Sequence, residues 1–218
     1  MLVYFKILRP LNILLGGISV IISAWLLNCF YSPLVIFTII IVTTFMGGAN
    51  ILNDILDLKI DKINRPDRIL ASDKLKLKSA ILFTIFLFLI GIFFCQFIFS
   101  LGSCIALFII LPSLILYTPL FKSIPFLGNL MIGCILGSVF IFTESAILGE
   151  IRKMWIPFYL ATTLSTIREI IKDAADIKGD KINNISTFPN KFGFQSTLRL
   201  IRLLVLILFI FSIIPWIY

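Results

Sequence analysis

The sequence predicts an all-α protein, a multi-pass transmembrane helical bundle of about seven helices, because apolar stretches long enough to cross a bilayer follow one another along the chain. Hydrophobic residues make up 60% of the 218 positions and charged residues only 14%, and the mean hydropathy is +1.10. A soluble domain of this size could not cover so much apolar surface with so few polar side chains.

Each predicted span contains roughly the 20 mainly apolar residues that a transmembrane helix requires. The spans are residues 10–30, 33–54, 79–99, 102–118, 127–148, 155–171 and 196–217. The third and fourth are separated by only a few residues around Ser100, which predicts a tight helical hairpin. We interpret residues 1–218 as a single membrane-embedded domain.

The positions of the Lys and Arg residues predict the orientation in the membrane. If the N-terminus is cytoplasmic, every Lys and Arg except Arg152 and Lys153 falls on the inner side of the predicted spans. This asymmetry is typical of multi-pass proteins. It predicts a cytoplasmic (inner) membrane protein with its N-terminus inside. The net charge of +8 is explained by anionic lipid headgroups or an anionic substrate, so we expect no nucleic-acid partner.

Histidine is absent from the chain, and the four cysteines form no Cys-x-x-Cys pair. Zinc sites, haem ligation and histidine-based acid–base catalysis are therefore not expected.

Six of the 11 acidic residues lie in two runs that share the spacing D-x2-D-x3-D. The runs are Asp54, Asp57 and Asp61, and then Asp173, Asp176 and Asp180, each 119 positions after its counterpart. On a helix each run covers an arc of about 60°, which Asn50 joins in the first run and Glu169 in the second. Each run follows an apolar span, so the two carboxylate stripes are expected to face one another across a central cavity that opens to the cytoplasmic side.

Carboxylates this close to hydrocarbon need neutralising partners. An isolated acid there costs about 2.5–3.5 kcal/mol on insertion scales, and grouped acids also repel one another. Mg²⁺ is commonly held by one or two carboxylates together with substrate phosphates, and paired metals stabilise a departing oxygen anion. The two runs therefore predict a Mg²⁺–diphosphate site. A solvated, salt-bridged helix cap is the alternative, and the repeat disfavours it.

The motifs resemble those of a known family. Asn53-Asp54-x2-Asp57-x3-Asp61 with Asn64-Arg65-Pro66 resembles the first aspartate-rich motif of the UbiA superfamily of intramembrane prenyltransferases. The string REIIKDxxDIKGD at 168–180 resembles the second motif, and is most similar to members that attach a geranylgeranyl group to a glycerol-phosphate lipid. Arg9-Pro10-x-Asn12 resembles the family's opening segment, and Tyr117 with Lys122 its intervening loop.

The resemblance implies Mg²⁺-dependent transfer of a geranylgeranyl (long isoprenoid) group from its diphosphate to the hydroxyl of a glycerol-phosphate prenyl ether lipid. The implied metal ligands are Asp54, Asp57, Asp61, Asp173, Asp176 and Asp180. The implied catalytic residues are Asp54, Asp57, Asp173, Asp176, Lys122 and Tyr117. The implied substrate-binding residues are Arg9, Asn12, Asn50, Asn53, Arg65, Arg168 and Lys172.

Members of this family usually have nine helices, so the resemblance implies that the family's last two are absent here. The cavity is then expected to be more open to membrane lipids, or closed by another copy of the chain in a homo-oligomer.

Two alternative functions remain. A prenyltransferase with the same donor and an aromatic acceptor, as in quinone or haem pathways, is disfavoured by the residue sequence of the second motif. An ion-coupled membrane carrier would show repeats with charges at the membrane midplane. It is disfavoured because the repeated acids lie at the inner interface and no span carries a lone charge at its centre.

Overall fold

The computed structural model describes residues 2–175, 177 and 186–213, and within these ranges the regular structure is entirely helical. Helices α1 to α5 are Leu2–Ile7, Pro10–Leu26, Leu34–Leu56, Leu58–Asn64 and Leu77–Phe94. Helices α6 and α7 are Ser100–Ile105 and Leu111–Leu116, followed by α8 at Leu127–Leu148 and α9 at Trp155–Ala175. Helices α10 and α11 are Phe188–Phe192 and Phe194–Ile213. The all-α prediction is confirmed.

Every predicted span overlaps a helical stretch, and among the described residues five stretches are long and apolar enough to cross a membrane. These five are Leu34–Leu56, Leu77–Phe97, Ser100–Phe121, Leu127–Leu148 and Phe194–Ile213. The first predicted span is a shorter apolar helix of 17 residues, α2. The sixth is the full-length helix α9, whose last two turns carry four charged residues.

Large apolar side chains remain exposed along these helices. Leu11, Phe108 and Phe209 are 67%, 76% and 62% exposed. In water, surfaces of this kind would drive association, whereas in lipid they face a matching solvent and the helical backbone satisfies its own hydrogen bonds. The prediction of a multi-pass membrane protein is confirmed.

The described chain divides into two compact units, Met1–Ile115 with Phe142–Arg152, and Leu116–Ile141 with Lys153–Tyr218. In the first unit α3 packs against both α2 and α5. A buried cluster ties this packing to the segment after α4, and it consists of Ile7, Ile51, Leu70, Leu75, Ala80 and Leu87. The segment at 65–76 is therefore anchored to the helices at Leu70 and Leu75.

The connection between the third and fourth spans is as tight as predicted. A 3₁₀ turn at Cys95–Phe97 ends the third span, and α6 begins at Ser100. The Phe99 amide donates to the Ala146 carbonyl at 3.2 Å. Gly102 lies so close to Ala146 that a Cβ there would be 2.6 Å from the Ala146 Cα, so only glycine fits.

The fourth span departs from regular α-helical geometry at two turns. Ala106–Ile110 and Tyr117–Phe121 are π-helical, the first directly before Leu111-Pro112 and the second around Pro119. Proline has no N–H and its ring crowds the preceding turn, which favours a wider local helix. Tyr117 therefore lies in a helical turn, as the predicted span 102–118 requires, and the helix continues to Phe121.

In the second unit α9 packs against α11 and against α8. The α8–α9 contact is made through Gly133 and Gly137, spaced four residues apart. A Cβ on Gly137 would lie 2.9 Å from the Phe158 carbonyl oxygen, and one on Gly133 would lie 2.7 Å from the Thr162 carbonyl oxygen. Small residues at this spacing let two membrane helices approach closely.

Candidate functional site

The first acidic run lies where α3 ends. Asp54 is in the last turn of α3, Asp57 lies at the break between α3 and α4, and Asp61 is in α4. The expectation of one continuous helix through the run is wrong, because the helix stops at Leu56 and restarts at Leu58. The Asp57 amide still donates to the Asn53 carbonyl at 2.9 Å, and the Asp61 amide donates to the Asp57 carbonyl at 2.9 Å, so the break is confined to one residue.

Asp54 and Asp61 are both buried, each with 6% of the residue exposed. The C-terminal end of a helix carries partial negative charge, so Asp54 is destabilised there unless cations lie beside it. Two guanidinium groups meet this need. Arg9 Nη2 lies 2.6 Å from Asp54 Oδ1, and Arg68 Nη1 lies 3.3 Å from the same oxygen.

Arg68 also contacts the second buried carboxylate. Its Nη1 donates to Asp61 Oδ2 at 2.5 Å, so one guanidinium nitrogen bridges two acids seven positions apart. Asp54 and Asp61 thus face the same guanidinium, although the helix between them is interrupted. Asp57 is half-buried.

Arg68 reaches the acids from the segment that follows α4. The Arg68 amide donates to the Arg65 carbonyl at 3.0 Å, and the Ser72 amide donates to the Arg68 carbonyl at 2.8 Å. Leu70 is 3% exposed in the core cluster, which holds this turn against the helices. Arg65, the arginine that the sequence predicts for substrate binding, is exposed at the start of the same segment.

Arg9 approaches Asp54 from the junction of α1 and α2. Its φ of 56° is in the left-handed region, uncommon for a residue other than glycine, and Pro10 begins α2 immediately after it. Asn50 fastens the same junction to α3 by donating from Nδ2 to the Leu8 carbonyl at 2.9 Å. Conformational strain at Arg9 is thus balanced by an ion pair and by this neighbouring hydrogen bond.

Two other predicted residues of this unit lie nearby in the chain. Asn12 is half-buried in the first turn of α2, and its backbone N–H donates to the Arg9 carbonyl at 2.9 Å. Asn53 is half-buried one position before Asp54.

The second acidic run is described only at its beginning. Asp173 lies in the last turn of α9, and its Oδ2 accepts a 2.7 Å hydrogen bond from Asn129 Nδ2 at the start of α8. Asn129 is buried, at 8% exposure, so this donor is fixed in place. Asp176 and Asp180 lie outside the described residues. The prediction that the two runs face one another stays a prediction.

The two predicted cations before Asp173 both pair with Glu169. Lys172 Nζ lies 2.7 Å from Glu169 Oε2, and Arg168 Nη1 lies 3.6 Å from Oε1. Both cations are more than half exposed, whereas the Glu169 side chain is 16% exposed. Solvent reaches both cations and screens these pairs, and Glu169 keeps one cation when the other turns away, so either cation can change its partner.

Tyr117 and Lys122 are placed by the second π-helical turn. The Lys122 amide donates to the Tyr117 carbonyl at 2.9 Å, which brings the two residues to successive turns of one helix end. Tyr117 is half-buried and Lys122 is exposed.

The oxygen atoms of this site fit a Mg²⁺ ion that is coordinated partly by the protein and partly by a substrate. Among the described residues no group of three or more acids, cysteines or histidines is positioned to enclose an ion. The donors present are all oxygens: two buried carboxylates, the half-buried Asp57, and the amide oxygens of Asn50 and Asn53. Mg²⁺ is usually held in this way, by one or two carboxylates with water and substrate phosphates.

Three polar residues, one partly buried and two buried, were not among the predicted site residues. Arg68 is one of several cations in its segment, and only its contacts distinguish it. Asn129 is marked in the sequence by no periodic pattern. Glu144 lies near the end of α8 and is fully buried. The fifth predicted span therefore contains one acid, which lies one turn from the end of the helix and not at its centre.

The helical fold and these motifs define a class of protein. Residues 14–218 match the UbiA prenyltransferase family, and the chain belongs to this family. The predicted family is confirmed.

Within the family, the chain is similar to enzymes named digeranylgeranylglyceryl phosphate synthase. The Methanosarcina mazei protein is 39% identical over 178 residues, which are 81% of this chain and 61% of that protein. The Methanosarcina barkeri protein is 36% identical over 98% of this chain and 78% of its own length. The chain thus matches about three-fifths of the first relative and over three-quarters of the second.

Solved structures agree with the fold. A digeranylgeranylglyceryl phosphate synthase structure has a TM-score of 0.83 and 31% identity, covering 99% of this chain and 77% of that one. A UbiA homolog from Archaeoglobus fulgidus bound to GPP and Mg²⁺ has a TM-score of 0.79 at 17% identity, covering 96% of this chain and 76% of that one. The second likeness concerns the fold alone.

Proposed function

We propose that the chain is a Mg²⁺-dependent prenyltransferase that moves a geranylgeranyl group from its diphosphate to the hydroxyl of a glycerol-phosphate prenyl ether lipid. The observation that carries this proposal is the pair of buried carboxylates, Asp54 in the last turn of an apolar helix and Asp61 in the short helix after it, each in contact with a guanidinium group. The names of relatives at 36–39% identity support the choice of donor and acceptor.

The proposed metal ligands come from both acidic runs. Asp54, Asp57 and Asp61 supply one set, and Asp173, Asp176 and Asp180 the other. Asn50 and Asn53 offer amide oxygens beside the first set. When bound, Mg²⁺ supplies positive charge that stabilises the departing diphosphate.

The positively charged side chains of the site have a separate role. Arg9, Arg65, Arg168, Lys122 and Lys172 are proposed to bind the diphosphate of the donor or the phosphate of the acceptor. Arginine suits this role because its planar fork matches two phosphate oxygens at once. The weak surface pairs of Arg168 and Lys172 with Glu169 leave both cations able to turn toward an anion.

The proposed reaction exchanges one C–O bond for another. The bond between the allylic carbon and the diphosphate oxygen breaks, and its electron pair leaves with the diphosphate. The acceptor's hydroxyl oxygen then bonds to the allylic carbon, and the hydroxyl proton passes to diphosphate or water. Apolar helices around the reacting carbon keep bulk water from capturing the cation first. Tyr117 is proposed to position the acceptor or to shield the cation with its ring, and Asn12 to assist donor binding.

We extend the proposal to the membrane setting. The Lys and Arg asymmetry supports a cytoplasmic N-terminus in the cytoplasmic membrane, with both acidic runs at the inner interface. The partners are then the isoprenoid diphosphate, the lipid acceptor and membrane lipids, with a second copy of the chain as a further partner.

The experiment is an in vitro assay in lipid nanodiscs with geranylgeranyl diphosphate and geranylgeranylglyceryl phosphate, read by lipid mass spectrometry. The expected product is the diether phosphate, formed with Mg²⁺ and not with a chelator. Asp54→Asn and Asp173→Asn should each lower the rate by at least about a hundredfold, as expected for groups that act on transition-state charge.

Asp67→Asn is the matched control, because Asp67 is an exposed acid six positions after Asp61. It should keep the wild-type rate. Full activity in Asp54→Asn, or product formed with hydroxybenzoate or naphthoate in place of the lipid acceptor, would overturn the proposal.

A further inference from the structure

The two buried carboxylates of the first run are neutralised by the chain's own arginines. Asp54 Oδ1 accepts hydrogen bonds from both Arg9 and Arg68, and Asp61 Oδ2 accepts one from Arg68. The side chains of the two acids are 7% and 9% exposed, so water screens them poorly. Without Arg68, Asp61 would lose the cation that lies 2.5 Å from it.

Arg68 is held at this position by the fold. Its backbone is bonded at both ends within the 65–72 turn, and Leu70, two residues away, is packed in the core of the first unit. The Arg68 side chain is 24% exposed, so it lies at the boundary between the acids and solvent. This guanidinium occupies one oxygen of each carboxylate, Oδ1 of Asp54 and Oδ2 of Asp61.

Binding of a divalent cation at Asp54 therefore competes with Arg68. An ion bound to either carboxylate would share that carboxylate with Arg68, and its two positive charges would lie beside Arg9 and Arg68. A diphosphate relieves this repulsion, because it adds negative charge that the released guanidinium can bind. The metal alone should bind weakly, and the metal with its diphosphate should bind well.

We propose that Arg68 is the resident counter-cation of the Asp54–Asp61 pair, which stabilises the site while it holds no metal and opposes binding of a metal that arrives without diphosphate. The identity of the ligand rests on the proposed function, whereas the competition itself rests on the contacts of Arg68.

The test measures metal binding to the purified full chain, with Mn²⁺ as the probe because its unbound form is counted directly by electron paramagnetic resonance. Mn²⁺ prefers the same oxygen ligands as Mg²⁺. Arg68→Gln should bind Mn²⁺ without diphosphate roughly fivefold more tightly than wild type, the low end of coupling between linked sites. Arg68→Lys keeps the charge and should stay within about twofold of wild type.

Arg152→Gln is the matched control, since Arg152 is an exposed arginine paired with Glu150 at 3.1 Å. It should leave Mn²⁺ affinity unchanged. Equal, weaker or undetectable binding by Arg68→Gln overturns the inference, and so does tighter binding by Arg68→Lys.

Thermal unfolding supplies a second readout. In chelator, Arg68→Gln should unfold roughly 4 °C or more below wild type, and saturating Mn²⁺ should close most of that gap. A gap of equal size in chelator and in Mn²⁺ would mean that Arg68 only supports the fold. Arg68→Gln leaves Asp61 without this arginine, and the variant could fail to fold for that reason. In that case the same comparison is made between Asp61→Asn and the double variant Asp61→Asn/Arg68→Gln, in which residue 61 carries no charge.

Both readouts are independent of prenyl transfer. Failure of wild type to form any prenylated product would overturn the proposed function and leave the competition between Arg68 and the metal standing. Unchanged metal affinity in Arg68→Gln, with transfer intact in wild type, would overturn only the role given to Arg68.

Discussion

Arg9→Gln and Asp54→Asn, made singly and together, measure how strongly the N-terminal arginine is coupled to the buried carboxylate. The two charged atoms are 2.6 Å apart, and the Asp54 side chain is only 7% exposed. Removing one partner of a fully buried pair costs about 3–5 kcal/mol. Arg68 remains 3.3 Å from the same oxygen and Arg9 is 37% exposed, so we expect a smaller coupling free energy of about 1–3 kcal/mol.

The assay is unfolding of the four proteins in mixed detergent micelles, followed by far-ultraviolet circular dichroism. A control cycle of Lys62→Gln and Asp73→Asn uses an exposed pair in the same unit, with atoms 3.6 Å apart and side chains 50% and 82% exposed. Its coupling should be below about 0.5 kcal/mol. If the Arg9–Asp54 coupling is no larger than the control, burial does not strengthen this pair and the reasoning is wrong.

Three further outcomes are expected. Asn129→Ala should lower the rate of prenyl transfer about 10- to 100-fold, because it removes the amide that orients Asp173; an unchanged rate would contradict that role. Gly137→Leu should destabilise the chain by about 1–3 kcal/mol or prevent folding, since its side chain would overlap the facing helix; wild-type thermal stability would refute that close contact. On a cysteine-free background, Arg152→Cys should react with a membrane-impermeant thiol reagent in intact cells, because residue 152 is predicted to lie outside. Asp67→Cys should react only after the cells are opened, because residue 67 is predicted to lie on the cytoplasmic side. The reverse pattern would refute the orientation.

Much of the fold could be predicted because the membrane imposes a simple rule on sequence. A spanning helix must be apolar over its whole length, so hydropathy alone locates it, and each predicted span overlaps a helix in the described part of the chain. The end of the fourth span was less accurate, since the turn around Pro119 remains helical in a wider form. Hydropathy carries no information about such local geometry.

The candidate site was predicted in part. The helical period placed Asp54 and Asp61 on one side, and Arg68 contacts both. The break at Asp57 was not predicted, because nothing in the local sequence forbids helix there. The contact of Asn129 with Asp173 joins residues 44 positions apart, and only packing of α8 against α9 brings them together.

The sequence by itself determined the class of protein, the helical spans and the residue types of the acidic site, because composition, period and motif spacing are properties of the chain. Only the tertiary structure decided which cations neutralise which acids. Arg9 and Arg68 reach Asp54 from opposite directions along the chain, through a left-handed turn at one end and a core-anchored loop at the other. The strength of a charge pair depends on distance and burial, and both are set when the helices pack.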